Sequence, residues 1–178
     1  MLMHPERSLL LMIDLQERLA PAILNIDRVV EHNLWLARVA RRLAVPVVAT
    51  VQYPAGIGPM LPELREHVEV LVEKIHFSAH ADGCLNGLAA LTRPQVVITG
   101  TEAHVCVMQT ALDLRAAGKD VFVVAEAVGS RSAEDRQLAL ERMRQEGCRI
   151  VSREMVAFEW LQRAGTEVFR DVHRNFIR

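Results

Sequence analysis

Short runs of apolar residues alternate along the chain with longer stretches in which apolar and polar positions recur at helical spacing. Residues 9–13, 45–51, 96–99 and 121–125 are rich in branched side chains, and each run ends at polar or glycine-containing positions. Because successive positions are apolar, these runs predict parallel strands buried on both faces. Between them, Val29, Val30, Leu34, Ala37, Val39 and Ala40 share one side of a predicted helix. Val107, Ala111, Leu114 and Ala117 form a second such stripe, and Leu138, Leu140 and Met143 a third. Each stripe is expected to lie against a sheet. Gly118 and Gly147 follow two of these helices, one starting near Ala103 and one near Ala133, where glycine tolerates a left-handed C-terminal cap. Residues 154–176 read as two short helices broken at Gly165. Strands alternating with helices predict a three-layer α/β sandwich around a mainly parallel sheet. No repeat, linker or low-complexity tract interrupts the 178 residues, so one domain spanning 1–178 is expected.

Composition narrows the function more than the fold. Hydrophobic residues at 51% and charged residues at 24% give a globular balance with little room for disorder. The formal net charge is -1, with acidic and basic residues interspersed, so no basic face is expected to meet nucleic acid. No apolar run approaches the ~20 residues that span a bilayer, and the first residues lack a signal peptide's cleavage pattern. The expectation is a cytoplasmic protein with no membrane partner. Cys84, Cys106 and Cys148 are odd in number and widely spaced, which fits a reducing compartment better than a disulfide framework. No CxxC pair supports a structural zinc site, and no GxGxxG follows a strand to support a nucleotide-dependent oxidoreductase.

Candidate chemistry follows from where the predicted strands end, since ligands of open parallel sheets gather outside the strands' carboxyl ends. The first run ends at Asp14, and the run VVITG leads through residues 101–106 into a helix, which puts Asp14 and Cys106 on one edge of the sheet. A thiol at a helix N-terminus meets the positive end of the dipole, which is expected to lower its pKa. The same N–H groups suit the negative oxygen of a tetrahedral intermediate, and Gly100 leaves the backbone free for the turn. Lys74 places a cation inside an apolar run, where it would stabilise a thiolate while a carboxylate takes the thiol proton.

Each residue has a plainer alternative. Cys106 fits a small buried hydrophobe, Asp14 the N-cap of a following helix, and Lys74 an edge-strand charge that blocks aggregation. Spacing along the chain does not decide whether the three meet. His104, two residues before Cys106, points to a different helical face and is expected to contact the pocket without acting as a base. Asp113 is expected to be a solvated surface charge. His76 and His80 have a helical metal-pair spacing but no HExxH pattern, so no metal is expected, and Cys84 and Cys148 are expected to pack.

The segments IDLQERL around Asp14, EKIHFSA around Lys74 and TGTEAHVCVMQTALDLRAAGKDVFVVAEAVGSRS around Cys106 together resemble the isochorismatase-like cysteine hydrolases. The resemblance runs nearly end to end and is strongest to members of unassigned substrate named only as isochorismatase-domain proteins. It implies the isochorismatase-like hydrolase fold, a three-layer α/β/α sandwich with a Rossmann-like sheet. It also implies an Asp14, Lys74 and Cys106 triad, a thioester intermediate, and a cis peptide bond between Thr101 and Glu102. The Glu102 and Cys106 N–H groups would then form an oxyanion hole. Relatives that hydrolyse nicotinamide carry an Asp-x-His motif after the second strand to hold a metal, whereas this chain reads Thr50-Val51-Gln52-Tyr53-Pro54. The resemblance therefore implies a hydrolase without metal or cofactor that cleaves a small amide, ester or related acyl compound. A homodimer or higher assembly is expected, with Gln16, Gln52, Phe77 and His104 lining the pocket. The alternative is a non-catalytic binding or assembly protein that keeps the fold and a reactive thiol.

Overall fold

The computed structural model describes residues 1–177. Strands β1 (Ser8–Ile13), β2 (Val47–Gln52), β3 (Val70–Lys74), β4 (Gln95–Thr101), β5 (Asp120–Gly129) and β6 (Arg149–Val151) form one sheet in the order β3-β2-β1-β4-β5-β6. Every neighbouring pair is parallel. Helices α1 (Ile26–Arg42), α2 (Pro54–Ile57), α3 (Pro62–Arg65), α4 (Ala79–Asp82), α5 (Met108–Ala116), α6 (Ala133–Gln145), α7 (Arg153–Leu161) and α8 (Glu167–Val172) fill the connections.

Alternation along the strands sorts the core into two layers. Leu10, Met12, Val47, Val97 and Phe122 pack with Leu36 and Ala40 of α1, Trp160 of α7 and Val172 of α8. The intervening Leu9, Leu11, Ile13, Val96, Ile98 and Val121 pack with Ala111 and Leu114 of α5 and Met143 of α6. Burial on both faces is why these strands carry continuous apolar runs. This is the expected helix–sheet–helix sandwich, and no helix among the described residues is long and apolar enough to cross a membrane.

Local departures from the predicted pattern have local causes. β3 is an edge strand with exposed positions and only Val70, Leu71 and Val72 before Glu73, and β6 has only three residues and begins with Arg149, so neither gives a long apolar run. Leu138 is 55% exposed and Ala117 is also exposed, so α6 packs through Met143, the partly buried Leu140 and the unpredicted Ala139, and α5 through Ala111 and Leu114. Residues Ala103–Val107 wind as a wide π-type turn, and regular helix begins only at Met108. Gly118 and Gly147 adopt φ of 88° and 89° after α5 and α6, and Gly165 separates α7 from α8 at φ 80°.

Gly100 sits where β4 runs closest to β1. Its φ is 110°, and a Cβ there would fall 2.0 Å from the Ile13 carbonyl oxygen. Only glycine allows this backbone to pass Ile13 and deliver Thr101 beside Asp14.

Candidate active site

The strand order reverses between β1 and β4, because β2 and β3 lie to one side of β1 and β4 to β6 to the other. A crevice at the carboxyl ends of such a pair is where ligands of open α/β sheets bind. Asp14 follows β1 directly, at φ 47°. Its N–H donates to the Thr50 carbonyl of β2 at 3.1 Å, and its carbonyl accepts from Thr101 Oγ1 of β4 at 2.7 Å. The backbone is thus held from both sides. No helix starts there, since the next helical turn is Ala20–Ala22, and the N-cap alternative falls.

Both carboxylate oxygens of Asp14 are engaged. Oδ1 accepts from Thr50 Oγ1 at 2.6 Å, and Oδ2 accepts from Lys74 Nζ at 2.7 Å. Lys74 ends the edge strand, yet its side chain has 0% exposure, so it is not a solvated edge charge. Its ammonium also donates to Gln52 Oε1 at 2.6 Å and to the His76 carbonyl at 3.2 Å. Three acceptors match the three ammonium protons, which fixes the charge in place. Removing one member of a buried ion pair leaves the other uncompensated, at a cost of about 3–5 kcal/mol.

Cys106 lies buried in the π-type turn after β4 and interacts with both charges. Burial first, and then the Asp14 carboxylate, push its thiol up to about 12, while Lys74 pulls the other way. Hydrogen bonding with the same two side chains acts in the same two senses. The expected lowering by a helix terminus is therefore corrected. The regular helix starts two residues later, and the sulfur sits enclosed beside a carboxylate.

The turn also arranges backbone donors. The Glu102 carbonyl accepts from the N–H groups of Val105 at 3.1 Å and Val107 at 3.2 Å, passing over Cys106 between them. Glu102's own N–H donates to no acceptor among the described residues. The Thr101-Glu102 peptide is cis. The Glu102 carboxylate turns outward to Arg131, with Nε 3.0 Å from Oε2.

The residues expected to line a pocket divide differently. Gln16 is buried and works as a clamp, donating to the carbonyls of Gln52 at 3.0 Å and Gly58 at 2.7 Å and accepting from the Gln52 N–H at 2.7 Å. Gln52 holds Lys74 through its oxygen and donates to the Ile75 carbonyl through its nitrogen. Both glutamines therefore serve the scaffold. Phe77 is 54% exposed beyond β3. His104 is half-buried near the end of β5, with Nδ1 3.0 Å from Ser130 Oγ.

Asp113 is half-buried and accepts from Ser78 Oγ at 2.6 Å, which corrects its reading as a solvated charge. Burial pushes Cys84 and Cys148 each up to about 11. Among the described residues no group of three or more His, Cys, Asp or Glu side chains is placed to share a metal ion. Sequence reasoning missed Thr50, Thr101 and Arg131. The available signal was a hydroxyl or amide at positions 50 and 52 of a strand otherwise apolar and buried.

Comparison with known proteins supports the fold and the family. An isochorismatase domain model matches residues 8–155. Isochorismatase domain-containing protein 2 of Danio rerio is 36% identical over 168 residues, covering 94% of this chain and 85% of the relative. A solved structure described as the MAR1 ribonuclease of Caenorhabditis elegans superposes with a TM-score of 0.91 at 31% identity, covering 100% of this chain and 93% of the other. The ycaC product of Escherichia coli, described as an octameric hydrolase of unknown specificity, shares the fold with a TM-score of 0.89 at 24% identity, covering 99% and 91%. The parallel sheet with its strand-order reversal at Asp14, and a domain match over most of its length, place this chain in the isochorismatase family.

Proposed function

We propose that the chain is a cysteine hydrolase of small amides, esters or related acyl compounds, with Cys106 as nucleophile. The observation that carries this reading is a fully buried Lys74–Asp14 pair, 2.7 Å apart, facing a buried thiol. Burying two charges is costly, and a purely structural role would be served as well by apolar side chains.

Asp14 accepts the thiol proton as the sulfur attacks the carbonyl carbon, so the C–S bond forms while the S–H bond breaks. Lys74 balances the carboxylate before transfer and the sulfur's developing charge during it. The Glu102 and Cys106 N–H groups receive the oxyanion. Collapse of the intermediate expels the leaving group, which takes the proton from Asp14, and leaves a thioester. Asp14 then deprotonates water, whose oxygen attacks the thioester carbon; the C–S bond breaks to release the acid, and Asp14 returns the proton to the sulfur. No metal or cofactor enters these steps.

A homo-oligomer is part of the proposal, with the octameric E. coli neighbour as precedent for the fold. A reducing, cytoplasmic setting suits three free thiols.

The test is a panel of small amides, esters and hydroxamates assayed with the wild type and Cys106→Ala. RNA joins the panel because the C. elegans neighbour is named a ribonuclease, although a net charge of -1 favours an uncharged small substrate. Turnover lost by at least about 100-fold in Cys106→Ala supports the reading. Turnover that survives the substitution, or none on any small carbonyl compound, favours the non-catalytic alternative or another reaction.

A further inference from the structure

One strand beyond the nucleophile turn, a cleft of about 270 Å³ opens between the start of α1, the carboxyl end of β5 and the first turn of α6. Asp14, Lys74 and Cys106 do not line it. We propose that this cleft binds a small organic monocarboxylate, with the anion on Arg28 and Arg136 and the apolar body against Leu24, Val29 and Val128.

The charge balance selects the ligand. Two guanidinium groups line the cleft against one carboxylate, Glu126, whose Oε1 already accepts from the Arg153 N–H at 2.8 Å. Arg28 has no side-chain hydrogen bond or ion pair among the described residues. One surplus positive charge fits a monoanion better than a dianion.

The donors are also set in advance. Arg136 is tethered through Nε to the Val128 carbonyl at 2.9 Å and through Nη2 to the Ala125 carbonyl. Those bonds hold the guanidinium plane and leave Nη1 for a ligand, so little side-chain freedom is lost on binding. His32 accepts from Arg153 Nη1 at Nδ1, 2.9 Å away. Arginine can only donate, so the ring's proton lies on Nε2, and this cleft-lining imidazole is an N–H donor. Burial, aided by Arg153, lowers its pKa and keeps the ring neutral, which leaves the charge count unchanged.

Ser130 joins this cleft to the proposed active site. It lines the cleft while its hydroxyl meets His104 Nδ1, two residues before Cys106. A bound carboxylate is therefore felt in the nucleophile turn.

Amide NMR of the full chain, titrated with benzoate, inorganic phosphate and neutral benzamide, tests the proposal. Benzoate is expected to shift Gly129, Ser130 and Ala133 saturably, with His104 following. Arg28→Ala, a change at an exposed position, is expected to weaken that binding about tenfold. Phosphate and benzamide are expected to bind at least about tenfold more weakly than benzoate. Benzamide binding as well as benzoate, shifts confined to Asp14, Lys74 and Cys106, or no saturable shift at the cleft would each overturn it. These readouts require no turnover, so they stand apart from the hydrolase assay.

Discussion

Burial and the Asp14 carboxylate both hold the proton on Cys106, and only Lys74 works against them. With its pKa pushed up to about 12 the resting sulfur keeps its proton at neutral pH, and in the proposed mechanism Asp14 takes that proton during attack. The two roles of Asp14 separate on substitution. Asp14→Asn removes a negative charge that raises the thiol's pKa, so iodoacetamide labelling of Cys106 near about pH 8 is expected to speed up several-fold. Turnover is expected to fall by about 100-fold or more, because the base is gone. Lys74→Met is expected to slow the same labelling, and mass spectrometry across pH reads both signs. Thr50→Val leaves Asp14 Oδ1 without its donor and is expected to cost about 1.5–3 kcal/mol in urea unfolding, whereas Thr50→Ser restores most of it. Asp14 and Cys106 were legible in the sequence because each follows an apolar run at a strand's end. Thr50 was not, since threonine is at home in any strand and its partner lies 36 residues away. The hold of Gln52 on Lys74 was hidden for the same reason, since that contact comes from strand pairing and not from sequence adjacency.

At the scale of elements, the contact between β1 and β4 is the part most sensitive to change. Gly100→Ala drives a methyl group into the Ile13 backbone at a positive φ, and none of the three atoms it meets belongs to a flexible side chain. A loss of more than about 4 kcal/mol is expected, measured by chemical denaturation or as failure to accumulate folded protein. The position was flagged from sequence for the freedom of its turn, while the close approach of β1 that demands it needs the register. The four apolar runs became β1, β2, β4 and β5, because a strand covered on both faces has few polar positions to blur the pattern. β3 was read only as the apolar run around Lys74, and β6 was not identified, because edge strands lack that cover. The π-type turn at Ala103–Val107 was also hidden, since its residues carry no composition that separates it from ordinary helix.

For the molecule as a whole, three buried or half-buried thiols give a common alkaline limit. Cys84, Cys106 and Cys148 stand at about 11, 12 and 11 in the folded chain, against roughly 8.5 for an exposed cysteine. Above the exposed value the unfolded chain releases protons that the folded chain keeps, so stability falls as pH rises. The melting temperature is expected to stay level up to about pH 8.5 and to decline from there toward pH 11. The decline should be shallower in Cys148→Ala at matched starting stability, and calorimetry across pH checks both. The alternation of strands and helices made the layered plan readable, but the strand order that creates the crevice was not written in any local pattern. That order gives Lys74 a second consequence. The outermost strand on its side of the sheet is riveted at its end by an ammonium locked into the interior. Peeling β3 away would strand that cation and Asp14 together, so fraying at this border and loss of the proposed chemistry become one event. Anchoring the sheet's border in place thus falls to the same lysine that would stabilise the sulfur.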